Sequence, residues 1–368
     1  MPSHIAHYVF ARELTERAFG NGGSALLEEF DSFLALGAQG PDIFLHNRHR
    51  RPAGLNYGII LHRKNAGLFC AAIVRHHRQE SIFSPEGAYL LGCISHVVLD
   101  RILHPYINYR AGWVEPKQPE TYEYRVNHPF LERIIDVALL RSQLDMTVDD
   151  LDFASVISCE TSAALRILHL VRRALRAATR RGSRDLLLSR RLRNAYLDAM
   201  SYYRHTNTID FETARRELTI ADEQLPFWLG IYHPPSLPED IDFMNAEHLT
   251  WRHPCSGETY SSESVYDLYE RALPHGQMLF TAAIEAWAGT RPTFARPSGE
   301  TIPIAQTAPG RTTLTDPPQG VSLERLVGNG DLSDERLEGE PCERRYSDVL
   351  PFEQALRHIR DYVFEASG

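Results

Sequence analysis

Lysine is almost absent from this 368-residue chain: Lys64 and Lys117 stand beside 37 arginines, a bias of the kind a GC-rich genome imposes rather than a mechanism. No apolar run reaches the roughly 18 uninterrupted residues that a membrane-spanning helix needs. The opening MPSHIAHYVFARELTERAFG carries neither a basic leader nor an apolar signal core. The expectation is a soluble, unexported, cytoplasmic protein. Cysteine is sparse and unpatterned, with five residues at 70, 93, 159, 255 and 342 and no C-x2-C. That argues against a cysteine zinc site and a disulfide framework, and leaves reduced thiols as the expectation. Excess positive charge is also missing: 48 acids against 39 bases give a net charge of -9, which excludes a polyanion binder driven by net charge but leaves a local basic surface open.

With 43% hydrophobic and 24% charged residues the chain can bury a sizeable core. Alternating runs are nearly absent and apolar spacing of period 3.6 dominates, so the fold class is all-α, a multi-helix bundle. Helices are expected over residues 4–18, 24–37, 58–79, 85–104, 129–144, 148–181, 184–204, 210–229, 262–288 and 352–366. Ser84, Pro85 and Glu86 start one of them, Pro105 ends it, and Pro129 opens the next with His128 as its N-cap. Residues 1–290 form the expected catalytic domain. The Pro- and Gly-rich stretch 291–350 is an irregular excursion given no chemistry, and 351–368 a final helix packing back.

Ten of the 17 histidines fall within the first 128 residues. The helix EGAYLLGCISHVVLDRILH is apolar nearly all round, as a central bundle helix is, yet it carries His96, Asp100 and His104 at i, i+4 and i+8. Each step rotates only about 40° and rises roughly 6 Å, so the three form one stripe whose histidines are too far apart for a single ion. A carboxylate can bridge, which places Asp100 between two metals. His128 and Glu132, four apart, can chelate one ion with His104 as the third ligand. Asp42 and His62 could complete a site with His96 and Asp100, and His7 beside Asp100 could hold a third ion with the amine of a processed Pro2. A lone buried histidine is more often hydrogen-bonded structure than ligand. Eight donor residues at helical spacings are costly to satisfy internally and favour metal.

PDIF, AYLLGCISHVVLDRILHPYI and NHPFLERIID resemble the zinc-dependent phospholipase C family, whose all-α fold is shared by P1 and S1 type nucleases. The likeness is strong over residues 1–140 and weaker to about 290, and its specific part is H-x3-D-x3-H-P followed by H-x3-E. The resemblance implies three zinc positions: Asp42, His62, His96 and Asp100 for one, His104, His128 and Glu132 for the second, Asp100 with His7 for the third. Where secreted members supply a leader-released tryptophan at the third position, this chain offers Pro2, Ser3 and His4. Two or three Zn2+ are therefore expected.

The implied reaction is hydrolysis of a glycerophospholipid headgroup ester by a metal-bridging hydroxide, with Asp42 as the catalytic candidate that orients or deprotonates the water, or else as a pure ligand. A nuclease on the same fold and a non-catalytic, metal-stabilised binding protein are the alternatives. No His-Asp dipeptide and no paired E-x-x-H motif supports an HD-type or ferritin-like reading. Two basic clusters remain. HNRHRR at 46–51 could meet a substrate phosphate or be a solvated loop. Residues 166–193 hold ten arginines and one acid, Asp185, a charge of +9 that leaves -18 for the remainder; this is either the solvated face of a helical hairpin or a contact for an anionic membrane surface.

Overall fold

The computed structural model describes residues 4–77, 81–115, 117–206, 230–234, 237, 241–256, 258–288, 293–295, 301–303, 321–342 and 346–349. It is all-α. In chain order the helices are α1 (His4–Phe19), α2 (Asn21–Ala38), α3 (Asp42–Leu45), α4 (Leu55–Arg63), α5 (Ala66–His76), α6 (Pro85–Ala111), α7 (Asn127–Leu144), α8 (Phe153–Val156), α9 (Thr161–Ala178), α10 (Arg180–Arg184), α11 (Leu188–Thr206), α12 (Val265–Ala288) and α13 (Leu323–Val327). Strand among the described residues is limited to two antiparallel pairs: β1 (Trp251–Arg252) with β2 (Tyr260–Ser261), and β3 (Thr293–Ala295) with β4 (Thr301–Pro303).

Helix α6 is buried along nearly its whole length and packs against α1, α2, α5, α7, α9 and α12. Its start follows the sequence expectation: Ser84 accepts a hydrogen bond from the Gly87 N–H and Pro85 occupies the first turn. Gly92 lets α2 cross closely, because a Cβ there would meet the Ala38 amide nitrogen at 2.6 Å and overlap the Leu34 carbonyl. The expected stop at Pro105 is corrected: the helix runs on to Ala111 with the proline inside it. A proline in a helix interior costs about 3 kcal/mol. Here Tyr106, Ile107 and Ala111 are buried beyond it, and Tyr106 donates to the Phe243 carbonyl at 2.8 Å and packs edge-on against Trp251. Burying large side chains at about 1.5–3 kcal/mol each outweighs the proline.

Three further boundaries differ. The expected helix 58–79 is two, α4 and α5, because Lys64 is extended and Asn65 sits at φ 70°, a conformation asparagine tolerates. The expected 148–181 is divided by Asp152 and Glu160, whose carboxylates cap α8 and α9. Helix α7 begins at Asn127, so His128 lies in its first turn and is not the N-cap. The expected helices 210–229 and 352–366 fall outside the described residues. No described helix is long and apolar enough to cross a membrane.

Candidate metal centre

The eight residues singled out by spacing converge in space from five helices. His7 comes from α1, Asp42 from the first position of α3, His62 from the last turn of α4, the stripe His96, Asp100 and His104 from α6, and His128 and Glu132 from the first turns of α7. Three groups form, in each of which the donor atoms lie within 4.8 Å of one another: Asp42, His62 and His96; His7, His96 and Asp100; and His104, His128 and Glu132. Asp100 lies between them, with Oδ2 at 3.2 Å from His96 Nε2 and 3.6 Å from His62 Nε2, and Oδ1 at 3.1 Å from His7 Nε2. In the third group Glu132 Oε1 is 2.8 Å from His128 Nε2 and 3.6 Å from His104 Nε2.

Local backbone fixes the ring orientations. His62 gives its Nδ1 proton to the Gly58 carbonyl at 2.8 Å, His96 to Ala38 at 3.0 Å and His104 to Asp100 at 2.9 Å. Each ring then presents Nε2 to the carboxylates, the arrangement that orients metal-ligating histidines. Gly40 allows it for His96: its φ is 48°, and a Cβ there would stand 2.7 Å from that ring.

The donor set suits zinc. His96 Nε2 and Asp100 Oδ2 are buried and 3.2 Å apart, yet neither makes a hydrogen bond. Two ligands about 2.0–2.2 Å from one tetrahedral ion stand about 3.3–3.6 Å apart, so this pair has close to the spacing of two donors on a shared cation. Charge agrees. Burial alone would raise the Asp100 carboxyl, but His104, His96 and His7 hold it well below the usual range. Burial likewise works against a charged His62, and Asp42 and Asp100 overcome it, lifting the ring to about 9. His128 goes the other way, lowered to about 4 by burial despite Glu132.

One side of the cluster is open. His62, His104 and His128 line a cavity of about 460 Å³ together with Leu45, Ile59, Arg63, Trp113, Asp331, Ser333 and Cys342. The last three belong to a stretch to which the sequence reading gave no chemistry. Within it α13 lies against α5, and the Leu332 N–H donates to the His62 carbonyl at 2.7 Å. The expectation of reduced thiols throughout is corrected here, for Cys255 and Cys342 form a disulfide with Cα atoms 5.5 Å apart. Eighty-seven residues separate them, and spacing reveals no such pair.

The chain matches the family model for zinc dependent phospholipase C over residues 3–177. That segment belongs to the zinc-dependent phospholipase C family. All eight converging residues lie within it. No curated protein and no solved structure matches the chain.

Beside these eight residues lies a constellation that the sequence reading missed. His4, Asp136 and His233 are fully buried and close enough to hold an ion. His4 had stood as one of three residues available at the third position, but its Nδ1 accepts from Arg133 Nη1 at 2.7 Å. The signal was available: His4 precedes His7 by three residues, and Asp136 follows Glu132 by four, so the same two helices carry a second pair one turn further on. HNRHRR does not line the cavity: Asp198 accepts from the Asn47 side chain, from the His49 and Arg50 N–H groups and from the Arg50 guanidinium.

Proposed function

We propose that the chain is a zinc-dependent phosphodiesterase that releases the phosphorylated headgroup of a glycerophospholipid. The observation that carries this is the open side of the cluster: five histidines and three carboxylates converge, and three of those histidines form the floor of a cavity walled by Leu45, Ile59 and Trp113. Asp42, His62, His96, Asp100, His104, His128 and Glu132 would hold two zinc ions, and Asp100 with His7 a third. Bound zinc supplies Lewis acidity, lowering the pKa of water and neutralising charge on phosphate.

The chain's own residues do the rest. Asp42 Oδ1, 2.8 Å from His62 Nε2 and 1% exposed, is the atom that receives the proton of the attacking water. Arg63, whose guanidinium fork matches phosphate oxygens, orients the ester. Ile59 is 43% exposed although apolar, and Val114, next to Trp113, is 38% exposed; both suit a lipid glyceride better than water. A nuclease would need aromatic platforms for successive bases, and Trp113 alone among the cavity residues offers one. The disulfide fits an oxidising compartment better than a cytoplasm, where such bonds are rare.

The zinc-loaded chain should be assayed against short-chain phosphatidylcholine, a soluble aryl phosphodiester and single-stranded DNA. Fastest turnover of the lipid is expected. DNA cleaved faster than lipid overturns the substrate, and failure on all three overturns the enzyme.

A further inference from the structure

Away from the metal centre, the helices α9, α10 and α11 gather the arginine-rich stretch into a hairpin. Its one acid is spent internally: Asp185 accepts from Tyr57 and from Arg191. Arg166 meets Glu86. Among the described residues the other eight arginines of the stretch make no ion pair, and Arg176, Arg180, Arg181, Arg184, Arg190 and Arg193 are exposed. Apolar side chains stand out among them. Leu186 is 97% and Leu187 50% exposed in the turn before α11, and Leu165 is 61% exposed on α9. Leu165 also borders a groove of about 680 Å³ between α9 and α11, where Arg172, Arg193 and Arg204 stand over Leu168, Leu192 and Met200.

A solvated hairpin accounts for the arginines but not for a leucine exposed almost completely at its tip. A nucleic acid also accounts for the arginines, but bases stack on aromatic rings and aliphatic leucines offer them nothing. An anionic bilayer uses both. Basic residues are drawn to its negative surface, and leucines beside them enter the acyl boundary. The rest of the chain carries -18 against +9 here, so the same surface repels the remainder and fixes the orientation.

We propose that the α9–α11 hairpin docks this protein on an anionic phospholipid bilayer, with Leu186 and Leu187 inserted and the surrounding arginines on the lipid phosphates. The inference goes beyond the hydrolase reading and stands without it, because docking needs no turnover.

The test is sedimentation of the full-length chain with vesicles of phosphatidylcholine alone or with about one-third phosphatidylglycerol added. Binding to the mixed vesicles only, weakening as salt rises, is expected. The double variant Leu186→Ser, Leu187→Ser should bind about tenfold or more weakly. Replacing Arg180, Arg181 and Arg184 by Gln should weaken binding about a hundredfold, at about fivefold for each arginine. All five side chains are exposed, so both variants should fold and keep wild-type turnover of a soluble phosphodiester. Absence of binding to the mixed vesicles overturns the proposal. So does loss of binding in the arginine variant with none in the leucine variant, the mark of a general polyanion surface; single-stranded DNA should then compete. Docking without hydrolysis supports this inference and counts against the enzyme reading, whereas hydrolysis without docking does the reverse.

Discussion

Two clusters of histidine and carboxylate stand one helical turn apart along α1 and α7, and they differ in where their positive charge comes from. Around Asp136 it is built in: Arg133 donates to Asp136 Oδ2 at 3.1 Å, to His4 at 2.7 Å, to the Tyr202 hydroxyl at 2.8 Å and to the Ile231 carbonyl at 3.1 Å. His233 Nε2 lies 2.8 Å from the same carboxylate, and the Ala6 N–H, one of the unpaired donors of the first turn of α1, reaches Asp136 Oδ1 at 2.6 Å. Around Asp100 no described arginine forms an ion pair with the carboxylate. Among the described residues the ion-pair partners of Asp42 and Asp100 are histidines, and buried carboxylates without a fixed cation are costly. The same residue types thus build a structural network where the chain supplies the cation and a candidate metal site where it does not.

The largest effect expected from this contrast is at Asp100. Replacing it with Asn removes one charge that several histidines share, so Asp100→Asn should lower zinc content by more than one ion relative to a wild type holding two or three. Lewis-acid stabilisation of a phosphate is worth several kcal/mol, and turnover should fall about a thousandfold. Elemental analysis beside a rate measurement checks both. A variant that keeps its full zinc complement would remove Asp100 from between the ions.

Arg133 is the next lever. Removing one partner of a buried charged network costs about 3–5 kcal/mol, so Arg133→Ala should be destabilised by that order in denaturant titration. If the guanidinium is what keeps metal out of the second cluster, the variant should also gain a zinc at His4, Asp136 and His233 and recover part of the lost stability when zinc is added. An Arg133→Ala protein as unstable with zinc as without it, holding no additional ion, would break the comparison.

How much of this was legible depends on how far apart the cooperating residues are in sequence. His96, Asp100 and His104, or His128 and Glu132, declare themselves because helical periodicity turns spacing into a shared face. Their convergence on Asp42, His62 and His7 came from the family likeness, since nothing in a single sequence says which helix faces which. Pro105 misled because a local rule was overridden by tertiary burial of Tyr106 and Ile107. The other wall of the cavity was invisible: Asp331, Ser333 and Cys342 follow a stretch without periodicity, and they are brought to His62 by backbone hydrogen bonds that any residue types could make. Arg133 has no spacing signal that sets it apart from other helical charges, and only packing shows that it lies at the centre of a cluster.

A smaller effect is expected at that invisible wall. The disulfide closes a loop of 87 residues and fastens the strand pair at Cys255 to the segment lining the cavity. Cys342→Ser, or reduction by a dithiol, should lower stability by about 2–4 kcal/mol. Because the segment lines the cavity and meets His62 at its backbone carbonyl, KM should rise several-fold while zinc content stays unchanged. Loss of zinc with the disulfide would mean that the second half of the chain takes part in building the centre.

The smallest effect sharpens the contrast through protons. In the metal-free protein Asp42 and Asp100 raise His62 to about 9, above the ordinary histidine value of about 6.5. A raised histidine stabilises the fold fully below the unfolded pKa, so this contribution is complete below about pH 6.5 and is lost as pH climbs through about 9. At neutral pH the ring therefore carries the extra proton, and zinc has to displace it to reach Nε2. Zinc binding at pH 7 should release about one proton from His62, and apparent affinity should rise about tenfold per pH unit for each proton displaced. His128, already lowered to about 4, has none to give. The Asp136 cluster behaves oppositely, because burial and Arg133 hold His4 well below its usual value and burial holds His233 down. Calorimetric zinc titrations in buffers of different ionisation enthalpy count the protons. Release that falls by about one proton in His62→Ala and is unchanged in His4→Ala supports the assignment, whereas release insensitive to His62 would mean that the negative charge of the open centre is met elsewhere, as at His96 and His104, whose rings the carboxylates also raise.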